Sequence, residues 1–163
     1  MSQFDASAGA PGARFEVKHS GDGLTMAARG PISVALWKAK PSRLLFEVQR
    51  NELAKVVDAH RGSAAFICIV QEGTPDPEDD VRKASADMIS SHGANLAAVA
   101  CVIEGSGFRA AITRTVLTGI VFLARNPSPT KFFENVQGAT TWLGTRIGKE
   151  RVVGLSESIA SLR

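Results

Sequence analysis

Two short apolar runs, AAFICIV (residues 64–70) and LAAVACVIE (residues 96–104), decide the fold class of this 163-residue chain. Each run has the length of a β-strand, and neither alternates apolar with polar side chains, which is typical of a strand covered on both faces. Segments with helical spacing of apolar residues lie around them, at 42–62, 81–93, 108–125 and 137–148, and Ser42 is a candidate N-cap of the first. Strands that alternate with helices favour an α/β domain with a mostly parallel sheet.

The sequence before these runs predicts a β-hairpin. FEVKHS (15–20) and LTMAARG (24–30) alternate apolar and polar residues around a turn, and Gly30-Pro31 ends the pattern. We expect residues 1–13, rich in Ala, Gly and Ser, to be a disordered leader. The remainder is predicted to be one α/β domain over 14–150, with four to five strands and about four helices, followed by a C-terminal tail or helix end at 151–163.

Composition is that of an ordinary globular domain, with 44% apolar and 21% charged residues. The net charge of +3 is too small to predict nucleic-acid binding. No stretch has the features of a secretory signal or the length of a membrane span, so we expect a cytoplasmic protein. Cys68 and Cys101 lie inside the two apolar runs, and we expect both thiols to be buried and unreactive.

The run GSGFRA (105–110) has the glycine pattern of a dinucleotide site, because it follows a predicted strand and opens a predicted helix. About 20 residues further on, where an acid would bind the ribose, the chain reads ARNPSP. The simpler interpretation is that Ser106 caps the helix.

No other pattern in the sequence indicates a metal site or a catalytic nucleophile. The acidic segment QEGTPDPEDD (71–80) lacks the oxygen spacing of a calcium loop, and its acids suit the first turn of a helix. No Cys or His pair has the spacing of metal ligands, and the chain contains no G-x-S-x-G nucleophile motif. We therefore expect no catalytic residue, no cofactor and no metal.

The order of elements resembles the STAS domain, in particular its SpoIIAA-like branch. The resemblance covers about residues 14–150 and is carried by the opening hairpin, AAFICIV, LAAVACVIEGSG, the helix that contains Leu117-Thr118-Gly119-Ile120, and the ending KFFENVQGATTWL. It implies a non-enzymatic regulatory or adaptor module that acts through protein–protein contacts, as the bacterial anti-sigma antagonists of this family do.

The resemblance places the partner surface at the segment after the central strand. In those antagonists a phosphorylatable Ser follows that strand, whereas here Thr74 is the only hydroxyl residue of the segment and the sole candidate for modification. The neighbouring acids would repel a phosphate. The predicted contact residues are Glu72, Thr74, Asp76, Glu78, Asp79, Asp80 and Trp37. Trp37 is placed in the segment that connects the hairpin to the first helix, and two interpretations stay open for it, a partner surface beside basic residues or a side chain packed beneath the loop.

The expected partner is a protein of unknown identity, and the sequence leaves homo-oligomers open. A second hypothesis belongs to a different class of function. Relatives of this branch are often grouped with lipid-binding folds, which implies a small-molecule or lipid-binding domain. The apolar helix 108–124 would then form one wall of an apolar pocket.

Overall fold

Six strands form one sheet in the order in which they occur in the chain, β1 to β6. The computed structural model describes residues 14–124 and 128–163, so the predicted leader lies outside the described residues. The strands are β1 (Glu16–Gly21), β2 (Leu24–Arg29), β3 (Ile32–Trp37), β4 (Ala64–Val70), β5 (Leu96–Ile103) and β6 (Thr130–Phe133). The helices are α1 (Arg43–Ala59), α2 (Asp79–His92), α3 (Phe108–Leu123), α4 (Val136–Ile147) and α5 (Leu155–Ala160).

The sheet is mixed. The pairs β1–β2 and β2–β3 are antiparallel, and β3–β4, β4–β5 and β5–β6 are parallel. The predicted α/β class, the N-terminal hairpin and the mostly parallel sheet are therefore confirmed. The described residues contain six strands and five helices, more than the four to five strands and about four helices expected from the sequence.

The additional strand is β3, whose sequence is ISVALW. All six of its residues are buried, but Ser33 interrupts the apolar run, which makes this strand less evident in the sequence than β4 and β5. Pro31 immediately precedes it, and a proline is compatible with the start of a strand because no ladder N–H is needed there. The placement of Trp37 in a connecting segment is therefore wrong, since Trp37 is the last residue of β3.

The predicted helix caps agree with the structure in one case and disagree in another. The Ser42 side chain accepts a hydrogen bond from the backbone N–H of Leu45 at 3.2 Å, which confirms Ser42 as the N-cap of α1. The predicted cap at Ser106 is wrong. Gly107 is the N-cap of α3, with φ of 85°, and no side chain caps that helix.

The helices cover the two faces of the sheet unequally. Helices α1 to α3 connect successive parallel strands that all advance in one direction across the sheet, so right-handed crossovers place them on one face. Helices α4 and α5 pack on the other face. Alternate residues of β3 show this division, because Val34 and Leu36 join the α4 side while Ala35 and Trp37 join the α1 side.

The C-terminal segment belongs to the folded domain. A 3₁₀ turn, Lys149–Val152, leads into α5, whose Leu155 and Ile159 are buried against the sheet. Arg29 of β2 is 4% exposed and donates to the carbonyl oxygens of Arg151 at 2.9 Å and Val153 at 3.1 Å. These bonds join the 3₁₀ turn and the residues that link it to α5 to the antiparallel end of the sheet.

Candidate functional site

An apolar cavity of about 90 Å³ lies between the sheet and helices α1 to α3. Its floor consists of side chains from three neighbouring strands, namely Trp37 of β3, Phe66, Cys68 and Val70 of β4, and Val99 and Cys101 of β5. These positions alternate along each strand, so that they share one face of the pleated sheet. The floor is therefore a direct product of the strand register, in which Cys68 pairs with Cys101.

Three helices form the walls of this cavity. Phe46 and Gln49 come from α1, and Val81, Ser85, Met88 and Ile89 come from α2. Helix α3 contributes Thr113, Leu117, Ile120 and Val121, although Ile120 is its only buried residue. The cavity thus lies beside helix 108–124, where the second hypothesis from the sequence places a pocket.

Trp37 forms one corner of the cavity and is 4% exposed. Its Nε1–H donates to Oε1 of Gln49 at 2.7 Å, a hydrogen bond between two buried side chains. Of the two interpretations that the sequence leaves open, the structure supports the one in which Trp37 packs beneath the loop. Its side chain is not accessible to a protein partner in this conformation.

Thr74 is also buried, at 5% exposure, and its hydroxyl donates to the carbonyl oxygen of Trp37 at 3.2 Å. This bond fixes the segment 71–78 over the carboxyl end of β3. A modifying enzyme would reach the hydroxyl only after this segment moved. The structure therefore places Thr74 at the cavity and not on an exposed partner surface.

Asp76 lies at the mouth of the cavity and is half-buried. Its Oδ1 accepts a hydrogen bond from the hydroxyl of Thr113 at 3.1 Å, which links the acidic segment to α3. No ion pair among the described residues includes Asp76.

The remaining predicted contact residues lie outside the cavity. Glu72, Glu78, Asp79 and Asp80 are all exposed. Glu78 forms an ion pair with Lys40, and Asp79 lies 3.5 Å from Arg82 one turn further along α2. Asp79 and Asp80 occupy the first turn of that helix, where the helix dipole favours carboxylates. The predicted contact set thus divides into a cavity group, Trp37, Thr74 and Asp76, and an exposed acidic group.

The two cysteines differ in exposure. Cys101 is 8% exposed, as expected from the sequence, whereas Cys68 is partly exposed because it lines the cavity. The expectation that both are buried is therefore wrong for Cys68. Burial raises the pKa of the Cys68 thiol to about 12 and also raises the pKa of Cys101, with a smaller contribution from Cys68 beside it. Both side chains are thus neutral thiols at physiological pH.

A second, more polar depression of about 430 Å³ lies at the carboxyl ends of β4 and β5. The glycine-rich run 105–110 lines it together with residues 70–74. Gly105 has a φ of 97°, a backbone conformation that favours glycine, whereas its close approach to Cγ of Glu72 involves a flexible, exposed side chain. The described lining of the depression contains two acids, Glu72 and Glu104, and one cation, Arg109, so the balance of charge disfavours a pyrophosphate at this place.

Within 14–124 and 128–163, no group of three or more His, Cys, Asp or Glu side chains is arranged to hold a metal ion. None of the helices in these ranges has the length and hydropathy needed to cross a membrane.

Several cavity residues escape detection in the sequence. Gln49, Ser85 and Thr113 lie on three different helices, and the fold alone brings them together. One local signal exists, because Gln49 occupies a position of α1 that the spacing of Leu45, Phe46 and Leu53 assigns to the buried face. A polar residue at such a position usually has a specific buried partner, here Trp37.

Comparisons of the chain with models of protein families, with curated proteins and with solved structures give no match. The resemblance to the STAS domain therefore rests on the order of elements and on the quoted motifs. Any function of this domain must be argued from the cavity and the surface.

Proposed function

We propose that this protein is a non-enzymatic binding domain that holds a small apolar ligand in the cavity between the sheet and α1 to α3. The observation that carries the proposal is the cavity itself. Its walls are mostly apolar, and a part of the Cys68 side chain stays exposed within it. Ligand sites in proteins are typically concave, mostly apolar and fitted with a few polar groups that orient the ligand.

The contacts of α3 support this proposal. Phe108, Ile112, Phe122 and Leu123 of α3 are exposed large apolar residues, and Ile120 alone is buried. The helix therefore covers the cavity with few packed side chains. Loosely packed elements open at a lower free-energy cost than elements of a packed core, and such an element is suited to ligand entry.

The test uses the two tryptophans of the chain, Trp37 and Trp142, and the absence of tyrosine. Trp142 packs against Phe133 on the other face of the sheet, with ring centroids 5.7 Å apart and ring planes tilted by 43°. In a Trp142→Phe variant, Trp37 at the cavity is the only tryptophan. Since the chain has no tyrosine, Trp37 dominates the emission of this variant. Addition of toluene to this variant is expected to change the Trp37 emission in a saturable manner and to raise the melting temperature.

A pair of variants at Cys68 makes this test specific. Cys68→Phe fills the cavity and is expected to abolish the change in emission, whereas Cys68→Ala keeps the cavity open and is expected to retain it. If Cys68→Phe does not fold, Val70→Phe fills the same space from the end of β4. Absence of a saturable signal in the open variants, or an unchanged signal in the folded filled variant, would contradict the proposal.

The exposed acidic group supports a second candidate, the regulatory or adaptor function that the STAS resemblance implies. Glu72, Glu78, Asp79 and Asp80 present four carboxylates near the carboxyl end of β4, and they fit a basic surface on a protein partner. Such charges steer association and contribute little to stability. This candidate is independent of the cavity.

The four carboxylates are neutralised by Glu72→Gln, Glu78→Gln, Asp79→Asn and Asp80→Asn, with Asp76 left intact. We expect a melting temperature within a few degrees of the wild type and weaker, less salt-dependent capture of the natural partner from a cell lysate. The control makes the same change in charge on other elements, by neutralising Glu47, Glu52 and Asp58 of α1 and Glu150 of the 3₁₀ turn. Equal loss of capture in both variants, or no loss in either, would exclude the acidic group as the contact.

A further inference from the structure

We propose that the ligand of the cavity consists of a short apolar body and a head group that donates hydrogen bonds, a primary amine or a hydroxyl, and that Asp76 binds this head group. This inference rests on the proposed function, since it specifies the chemistry of the same site. The charge, the hydrogen bonds and the size of the cavity support this chemistry of the ligand.

The described lining of the cavity carries one negative charge. Asp76 is the only residue with a formal charge among the described residues that line the cavity. No described cation neutralises it, so its carboxylate lies at the mouth with its charge uncompensated by an ion pair. A carboxylate head group, as in a fatty acid, would meet like charge there, whereas an ammonium or a hydroxyl would be attracted.

The hydroxyls of the lining are already used as donors. Thr74 donates to the carbonyl oxygen of Trp37 at 3.2 Å, Ser85 to that of Val81 at 2.8 Å, and Thr113 to Oδ1 of Asp76 at 3.1 Å. What these side chains still offer a ligand is lone pairs on oxygen. A ligand group that binds at these hydroxyls or at the second oxygen of Asp76 must therefore supply the hydrogen atom.

Gln49, the remaining polar side chain of the lining, is engaged at both ends. Its Oε1 accepts from Trp37 at 2.7 Å, and its Nε2 faces Sδ of Met88 at 4.0 Å. Trp37 and Met88 are 4% exposed, so these bonds are shielded from solvent. The half-buried carboxylate of Asp76 is thus the polar group of the lining that carries a charge and faces the open side.

The size of the cavity limits the apolar body. An engineered cavity of about 150 Å³ holds one benzene molecule. The present cavity of about 90 Å³ is open on one side, so it encloses a short alkyl chain or only part of an aromatic ring such as that of toluene, and the rest of the ligand, including any head group, stays at the mouth. Three compounds that differ only in the head group are suitable probes: hexylamine, 1-hexanol and hexanoate.

The experiment titrates the three hexyl compounds into the Trp142→Phe variant and follows Trp37 emission. We expect hexylamine to bind about tenfold more tightly than hexanoate, with 1-hexanol between them, because a charge-assisted hydrogen bond is about twice as strong as a neutral one. The net charge of the chain is +3, so non-specific attraction would favour hexanoate and give the opposite order.

Three further variants assign the preference to Asp76. Asp76→Asn removes the charge and keeps an acceptor for Thr113, and we expect it to weaken hexylamine binding about tenfold with little effect on 1-hexanol. Asp79→Asn is the matched control, since that side chain is 99% exposed and lies outside the cavity. Thr113→Val removes the bond to Asp76 but keeps the carboxylate, and we expect the preference for hexylamine to persist.

The outcomes separate this inference from the proposed function. Hexanoate binding as tightly as hexylamine, or Asp76→Asn leaving hexylamine binding unchanged, would overturn the head-group assignment while toluene binding still supports the cavity. Loss of the preference in Thr113→Val would show that the bond between Asp76 and Thr113 acts through the shape of the mouth, and would also overturn the assignment. No saturable signal with toluene or any hexyl compound would overturn the proposed function itself.

Discussion

On one face of the sheet, α4 packs closely on β4 and β5, while on the other face α3 leaves a cavity over the same two strands. The packed face is lined by small and branched residues without exposure, such as Ala98, Ala100 and Ile67. A Cβ atom built at Gly144 of α4 would lie 3.1 Å from Cγ2 of Val152, so a larger residue there would require Val152 to shift. Close packing of this kind stabilises the fold, and the open face is available for binding.

Polar groups show the same contrast. Arg29, which is buried, holds the C-terminal segment of the packed face through two backbone carbonyl oxygens. Nε2 of His92, at the end of α2 on the open side, is buried and lacks a hydrogen-bond partner. It is the only such side-chain atom in the part of the chain that the structure describes. An unpartnered buried polar atom reduces stability. The open face thus carries both the cavity and the unsatisfied group.

The largest expected effect separates the two faces by one matched pair of substitutions. Leu143 of α4 is fully buried, and Leu143→Ala should lower the free energy of unfolding by about 3 kcal/mol. Leu117 of α3 is only partly buried beside the cavity, and Leu117→Ala should cost about 1 kcal/mol. Both substitutions remove the same atoms from a helix, and urea unfolding measures both. Equal costs would show that α3 is packed as tightly as α4.

The second prediction concerns the reactivity of the two thiols, which sharpens the description of the open face. Because burial raises the pKa of Cys68 to about 12, its thiolate fraction at pH 8 is about a thousandfold below that of an ordinary thiol. We therefore expect slow labelling of both cysteines by N-ethylmaleimide, with Cys68 reacting before Cys101 because Cys68 is partly exposed. Mass spectrometry of peptides from timed samples measures both rates.

Toluene supplies the control for the labelling experiment. If it occupies the cavity, it should slow the labelling of Cys68 and leave that of a denatured sample unchanged. Modification of Cys101 before Cys68, or rapid labelling of either in the folded protein, would contradict the strand assignment and the described exposure of these side chains.

The sequence predicted the central strands and helix α1 well because their signals are local. AAFICIV coincides with β4, and Ser42 and the spacing of Leu45, Phe46 and Leu53 define α1. The strand β3 was missed because Ser33 interrupts its apolar run, whereas the runs of β4 and β5 are uninterrupted. Pro31 also directly precedes the strand, at the point where the hairpin pattern ends.

The candidate site was predicted in part. The segment 71–80 and helix 108–124 were both singled out, and the structure brings them together through Asp76 and Thr113. Their division into buried and exposed members was not foreseen, because it depends on which way each loop side chain turns. Thr74 turns inward to bond the carbonyl oxygen of Trp37, a contact with a residue 37 positions earlier that no local pattern encodes.

The smallest expected effect is the pH dependence that His92 contributes. Desolvation lowers the pKa of His92 below its ordinary value, and the carboxylate of Asp58 opposes this shift. The unfolded chain therefore binds a proton at this site more readily than the folded chain, so stability is fully present above about pH 6.5 and falls as the pH drops below it. His60, whose pKa is also lowered by burial, contributes in the same direction.

Replacement of His92 by Leu removes both the titration and the unpartnered nitrogen. Between pH 7.5 and 5.5, the free energy of unfolding should fall less in the variant than in the wild type, and the difference should be below about 1 kcal/mol. Urea unfolding at each pH measures it. Asp58→Asn is the sharpening variant: without that carboxylate the pKa of His92 should fall further, and the loss of stability in acid should become steeper. Parallel pH profiles for the wild type and His92→Leu would show that this side chain stays hydrated, and the contrast between the two faces would then rest on the cavity alone.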